Sequence, residues 1–139
     1  MDFEEIIDNL SLIDDWEERY RYIIELGHTL EPLPAAAYCE ANKVRGCASQ
    51  VWMTTEIGNE PDPVITFHAD SDAHIVKGLV VLLLAAYSGK TANEILAVDP
   101  RGFFERTGLS SHLTPQRSNG VASMIQRMKN DASRALAAA

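Results

Sequence analysis

Cysteine is scarce in this sequence. Only Cys39 and Cys47 occur among 139 residues, and they form no CxxC pair. A disulfide framework, a zinc ribbon or a dithiol reductase would need more thiols or closer ones. A buried iron–sulfur cluster would usually need more cysteines than these two. The four histidines, at 28, 68, 74 and 112, form no HxH or HExxH spacing, so no metal site is expected. Asp70 and Asp72 resemble the start of a calcium loop, but "HIVKGL" follows with no further ligands. Long hydrophobic runs are missing too: the longest, "LVVLLLAA" at 79–86, is too short to span a bilayer. The N-terminus "MDFEEIIDNL" is acidic where a targeting segment would be basic, so a cytoplasmic protein is expected. The glycines make neither GxGxxG nor a phosphate loop, and no serine sits in GxSxG.

Positive charge is also in short supply, with a formal net charge of -8. Residues 1–40 carry eleven acids against two bases, whereas residues 101–139 carry six bases against two acids. Those C-terminal bases are spaced along a helical pattern as a solvated face would be, without the dense basic patch of a nucleic-acid binder. Nucleic acid is therefore not an expected partner.

What is present is a chain with 46% hydrophobic residues, long enough for one domain over residues 1–139. Phe3, Ile6, Ile7 and Leu10 outline a short amphipathic helix. Asp14 precedes a second, striped by Trp16, Tyr20, Ile23, Ile24 and Leu26 and ended by Gly27. "EPLP" breaks continuation, and "AAAYCEANK" predicts a short helix in which Cys39 fills core space. "SQVWMTTEI" and "VITFHA", joined by "GNEPDP", alternate as a hairpin, and residues 43–46 are expected to add a third strand. "DSDAHIVKGLVVLLLAAYSGK" predicts a central buried helix, capped by Asp70, Ser71 or Asp72 and stopped at Gly89. Thr91 with Glu94 forms a capping box, and Asp99–Pro100 and Thr114–Pro115 open two more helices. In the last helix Val121, Met124, Ile125 and Met128 make a packing stripe. Gly120 within it implies close backbone approach, and the tail from Ala135 is expected to fray. The outcome is an α+β fold, a small antiparallel sheet packed against helices.

The stretch "KVRGCASQVW" stands out. Gly46 permits a tight bend, and Lys43 and Arg45 supply positive charge beside Cys47. A thiol on such a bend can hold thiolate character and react. A buried structural cysteine fits the same residues, and the chemistry of the stretch alone leaves both open.

Three blocks carry a family resemblance: "NKVRGCASQVW" at 42–52, "ADSDAHIVKGLVVLLLAAYSGKT" at 69–91, and "LSSHLTPQRSNGVASM" at 109–124, with "ELGHTLEPLP" at 25–34 as lead-in. Together they resemble the SufE-type cysteine desulfuration proteins, including the CsdE-type branch. The resemblance implies a SufE/IscU-like sandwich. It also implies that Cys47 accepts persulfide sulfur from a SufS-like cysteine desulfurase, stimulates that enzyme, and passes sulfur to a SufBCD-like scaffold for iron–sulfur cluster assembly. Pyridoxal phosphate would belong to the desulfurase, leaving this chain without a cofactor or metal of its own and not a stand-alone enzyme. Gly46 and Arg45 flank the acceptor, and Asp70 and Arg117 fall at family positions expected to hold the cysteine loop. Gln116 and Ala48 depart from the family's usual serine and glutamine. Two other classes compete: a scaffold-type metal or cluster binder using Cys47, Asp70 and a histidine, and a regulatory activator that accepts no sulfur. The motifs do not fix the oligomeric state, so a homodimer is one candidate assembly.

Overall fold

In the computed structural model, which describes residues 2–138, six helices surround a three-stranded antiparallel sheet. Helix α1 (Phe3–Ser11) starts at Asp2, whose carboxylate accepts the Glu5 N–H. Helix α2 (Trp16–Gly27) is capped by Asp15 rather than Asp14. The "AAAYCEANK" segment forms two 3-10 turns, Ala35–Ala37 and Glu40–Asn42, instead of one helix. Cys39 lies exposed between them, not in the core.

Strands β1 (Val51–Ile57) and β2 (Val64–Ser71) pair from Val51 opposite Ser71 to Ile57 opposite Ile65. The expected alternation holds, since Val51, Met53, Ile65, Phe67 and Ala69 are all buried. The third strand is not 43–46 but β3 (Lys90–Thr91), on the far side of β2. Lys43 contributes a single bridge to Trp52.

Helix α3 (His74–Tyr87) is buried on most sides, as its apolar circumference requires. Its N-cap is Ala73, with no side-chain cap bond, because the expected caps are used elsewhere. Asp70 and Ser71 end β2, and Asp72 turns to the loop before β1. Helices α2 and α3 cross with almost no gap. A Cβ on Gly78 would stand 2.0 Å from the Ile23 carbonyl oxygen, and one on Gly27 would stand 2.8 Å from the Gly78 nitrogen.

Thr91 and Glu94 make the expected capping box of α4 (Ala92–Ala97), and Asp99 with Pro100 opens α5 (Pro100–Thr107). Helix α6 (Pro115–Ala138) packs Val121, Met124, Ile125 and Met128 inward, and Ala132 and Ala135 continue that buried stripe. The tail is therefore helical through Ala138, with Leu136 half-buried and Ala137 and Ala138 exposed; Ala139 lies outside the described residues. Among the described residues, no helix is long and apolar enough to cross a membrane.

Candidate functional site

The loop between residues 44 and 51 is closed at its base and open at its tip. Val44 N–H donates to the Val51 carbonyl at 2.9 Å. At the other end Gln50 is clamped on both sides of its peptide. Its N–H and side-chain amide donate to Asp72 at 3.1 and 3.3 Å, and its carbonyl accepts from Ser71 Oγ at 2.7 Å. Residues 45–49 form the arc between these anchors. Gly46 takes a φ of +90°, which favours glycine, and a Cβ there would meet Ser123 Oγ at 2.4 Å. The arc therefore lies directly on α6.

Cys47 sits on that arc with its side chain turned in. Its S–H donates to the Gly120 carbonyl at 3.5 Å. The thiol lies in a pocket of about 30 Å³ walled by Val76, Leu79, Val121 and Met124, with Gln116 and Arg117 on its polar side. Gly120 makes the seat: a Cβ there would be 3.6 Å from Sγ, so only the smallest residues leave the sulfur its place. Burial pushes the Cys47 thiol above its ordinary pKa. The expectation of cation-assisted thiolate character thus reverses in this conformation. Arg45 and Lys43 pair instead with Glu40, at 3.3 and 3.0 Å.

The other expected site residues divide. Arg117, in the first turn of α6, lines the Cys47 pocket; its backbone N–H bonds Thr114 Oγ1, and its guanidinium makes no ion pair among the described residues. Asp70 does not reach the arc. Its carboxylate is buried, accepts from Tyr38 Oη at 2.6 Å and from Ser71 N–H at 2.8 Å, and lies 3.6 Å from Lys77 Nζ. Asp70 therefore holds the strap at 33–43, where Tyr38 also accepts the Leu33 N–H and packs edge-on against Trp52. The aspartate that anchors the cysteine loop is Asp72, two positions later. Sequence reasoning missed it because either acid could cap α3; only the β1–β2 register shows which one faces Gln50.

Among the described residues, no three side chains of the His, Cys, Asp and Glu kind converge as a metal set. What the arrangement offers chemically is one half-buried thiol in a mostly apolar seat with room for about one further atom.

Residues 4–132 match the family model SufE, described as an Fe-S metabolism associated domain. An uncharacterized SufE-like protein of Rhizobium meliloti (strain 1021) is 50% identical over 130 residues, covering 93% of each chain. A second, from Rhizobium etli, is also 50% identical over 130 residues, covering 93% of this chain and 88% of its own. The fold is similar to the solution structure of a hypothetical protein from Thermus thermophilus. The TM-score is 0.73 at 21% identity, over 97% of this chain and 96% of that one.

Proposed function

Since the chain belongs to the SufE family, whose domain is associated with Fe-S metabolism, we propose that it accepts sulfur on Cys47 from a cysteine desulfurase. The thiol deprotonates as the 45–49 arc lifts it from the Gly120 seat into water. The Cys47 thiolate then attacks the outer sulfur of the desulfurase's persulfide. A new S–S bond forms to Cys47, the old one breaks, and the desulfurase cysteine leaves as thiolate, so the exchange needs no external oxidant or reductant. Removing that sulfur frees the desulfurase for another turnover, which accounts for stimulation.

The observation that carries this reading is the seat itself. A pocket of about 30 Å³ beside Sγ has the volume of roughly one water molecule, enough for the terminal sulfur of a re-seated persulfide and too little for bulk solvent. Arg117 at its edge supplies positive charge where a persulfide anion would emerge. The stored sulfur is then handed to a SufBCD-like scaffold in the cytoplasm, with pyridoxal phosphate confined to the desulfurase.

Incubating the protein with a SufS-like desulfurase and cysteine, then weighing its peptides under non-reducing conditions, tests this directly. One sulfur should load on the peptide containing Cys47 and none on Cys39. Loading that persists in Cys47→Ser refutes acceptance at this residue. Desulfurase stimulation that survives in the same variant identifies an activator instead.

A further inference from the structure

A second surface, on the outer edge of β1, has features that the sulfur chemistry does not use. Strand β1 is an edge strand: apart from the Lys43–Trp52 bridge at its start, it pairs with β2 on one side only. Val51 turns its carbonyl outward to Val44, and in an antiparallel strand such outward groups recur at every second residue. Met53, Thr55 and Ile57 therefore also present their main chain outward. Arg127 reaches the Met53 carbonyl at 3.4 Å. For Thr55 and Ile57 no backbone partner on this side occurs among the described residues, and Ile57 is 51% exposed. An open edge of this kind is a ready template for another strand.

The edge runs beside a row of α6 side chains. Arg127, Asp131 and Arg134 line a groove of about 470 Å³ with Met53, Thr55 and Ile57. Asp131 is buried, accepts from Thr55 Oγ1 at 2.7 Å, and binds both arginines, at 3.3 and 2.7 Å. It thus sets the two guanidiniums along the strand while neutralising only one of them. Arg134 remains 73% exposed and keeps donors to spare.

We propose that this edge binds an extended segment of another protein carrying acidic side chains, which adds a strand to β1 at Met53–Ile57 and pairs its carboxylates with Arg127 and Arg134. Main-chain bonds to Thr55 and Ile57 supply affinity, the exposed Ile57 side chain supplies an apolar contact, and the arginines select for acid. A second copy of this chain fits less well. Antiparallel self-pairing centred on Thr55 would set Met53 against Ile57 and bring Arg127 of each copy to Arg134 of the other, a like-charge juxtaposition. The surface is separate from the Cys47 pocket, with which it shares no lining residue, so the inference stands whether or not Cys47 accepts sulfur.

The test titrates the full-length isotope-labelled protein with a seven-residue peptide alternating valine and glutamate, to about 1 mM, following backbone amide shifts and exchange. A peptide alternating valine and lysine is the control. Strand addition predicts that the Thr55 and Ile57 amides shift and gain protection with the glutamate peptide only. Arg134→Glu should weaken binding about tenfold, as expected for loss of a charge-assisted contact. Ile57→Pro removes one outward N–H while leaving the charges, and should also weaken it; each variant is checked for a native spectrum. Equal shifts with both peptides, shifts elsewhere than on β1, or binding indifferent to both substitutions would overturn the proposal. So would a concentration-dependent dimer that buries the Thr55 amide.

Discussion

The sulfur of Cys47 and the carbonyl of Gly120 lie 3.5 Å apart across 73 residues of sequence, so the tip of the 45–49 arc is parked on the first turns of the last helix. The parking depends on Gly120 having no side chain. An added Cβ would stand 3.6 Å from Sγ, in ordinary contact, but branched groups beyond it would enter the thiol's place. Gly120→Ala should keep the seat and gain up to about 1 kcal/mol of helix propensity. Gly120→Val should expel the thiol. Alkylation of Cys47, measured in a Cys39→Ser background, should rise severalfold for valine and little for alanine. Equal rates in both variants would mean that Gly120 is not the seat.

The seated thiol is neutral, and pH should unseat it. Burial favours the protonated form, so the pKa in the seated state lies above that of the exposed thiol. The seat's contribution is present in full below the exposed thiol's pKa and is lost as pH rises through the higher, seated value. Alkylation should therefore stay slow through neutral pH and climb at a higher pH than for the same thiol in urea-unfolded protein. Coincident profiles for the folded and unfolded chains would contradict a desolvated seat.

The α+β plan was legible because its signals are local. The β1 and β2 alternation, the Thr91–Glu94 box and the Asp99–Pro100 start each need only a few neighbouring residues, and the structure realises all three. Gly120 was legible as a close approach, but what approaches it was not. That partner is Cys47, brought in by the tertiary fold. Arg45 pointed the wrong way for a similar reason. Adjacency to Cys47 in sequence suggested a cation beside the thiol, yet its guanidinium pairs with Glu40 on the strap. The third strand was misplaced because a two-residue edge such as Lys90–Thr91 has no periodicity to read.

Asp72 and Asp70 should separate cleanly. Asp72→Ala frees Gln50 from its anchor beside Ser71, so the cysteine arc should open more often and Cys47 should alkylate faster with little change in stability. Asp70→Ala instead removes the acceptor of the Tyr38 hydroxyl and should cost about 1–2 kcal/mol. Its readout is a lower denaturant midpoint and looser protection of residues 33–43. A reversed pattern would show that the strap, not Gln50, controls the loop.

Gly78 is the residue on which the α2–α3 crossing turns. A methyl group there would lie 2.0 Å from the Ile23 carbonyl oxygen, a backbone atom that cannot rotate away. Gly78→Ala should therefore destabilise by about 3 kcal/mol or more despite alanine's better helix propensity, since overpacking against backbone forces the helices apart. Denaturant unfolding measures it directly. A neutral effect would mean that the two helices can separate without loss.

The C-terminal turn should matter although its sequence is nearly all alanine. Ala135 is 5% exposed and Leu136 packs against the core, so both extend the inward stripe of α6. A chain ending at Arg134 gives up that burial and leaves Asp131, with its bonds to Thr55, Arg127 and Arg134, in a fraying last turn. The apolar area lost corresponds to about 1–2 kcal/mol. The truncated chain should therefore unfold at lower denaturant, with the greatest gain in exchange along the last two turns of α6 and at Thr55. Of α6, the Cys47 seat draws only on residues between Gln116 and Met124, so sulfur loading should persist under conditions where the truncated chain remains folded. An unchanged midpoint would show that the tail adds nothing, and lost loading in a folded truncation would show that the end of α6 reaches the acceptor site.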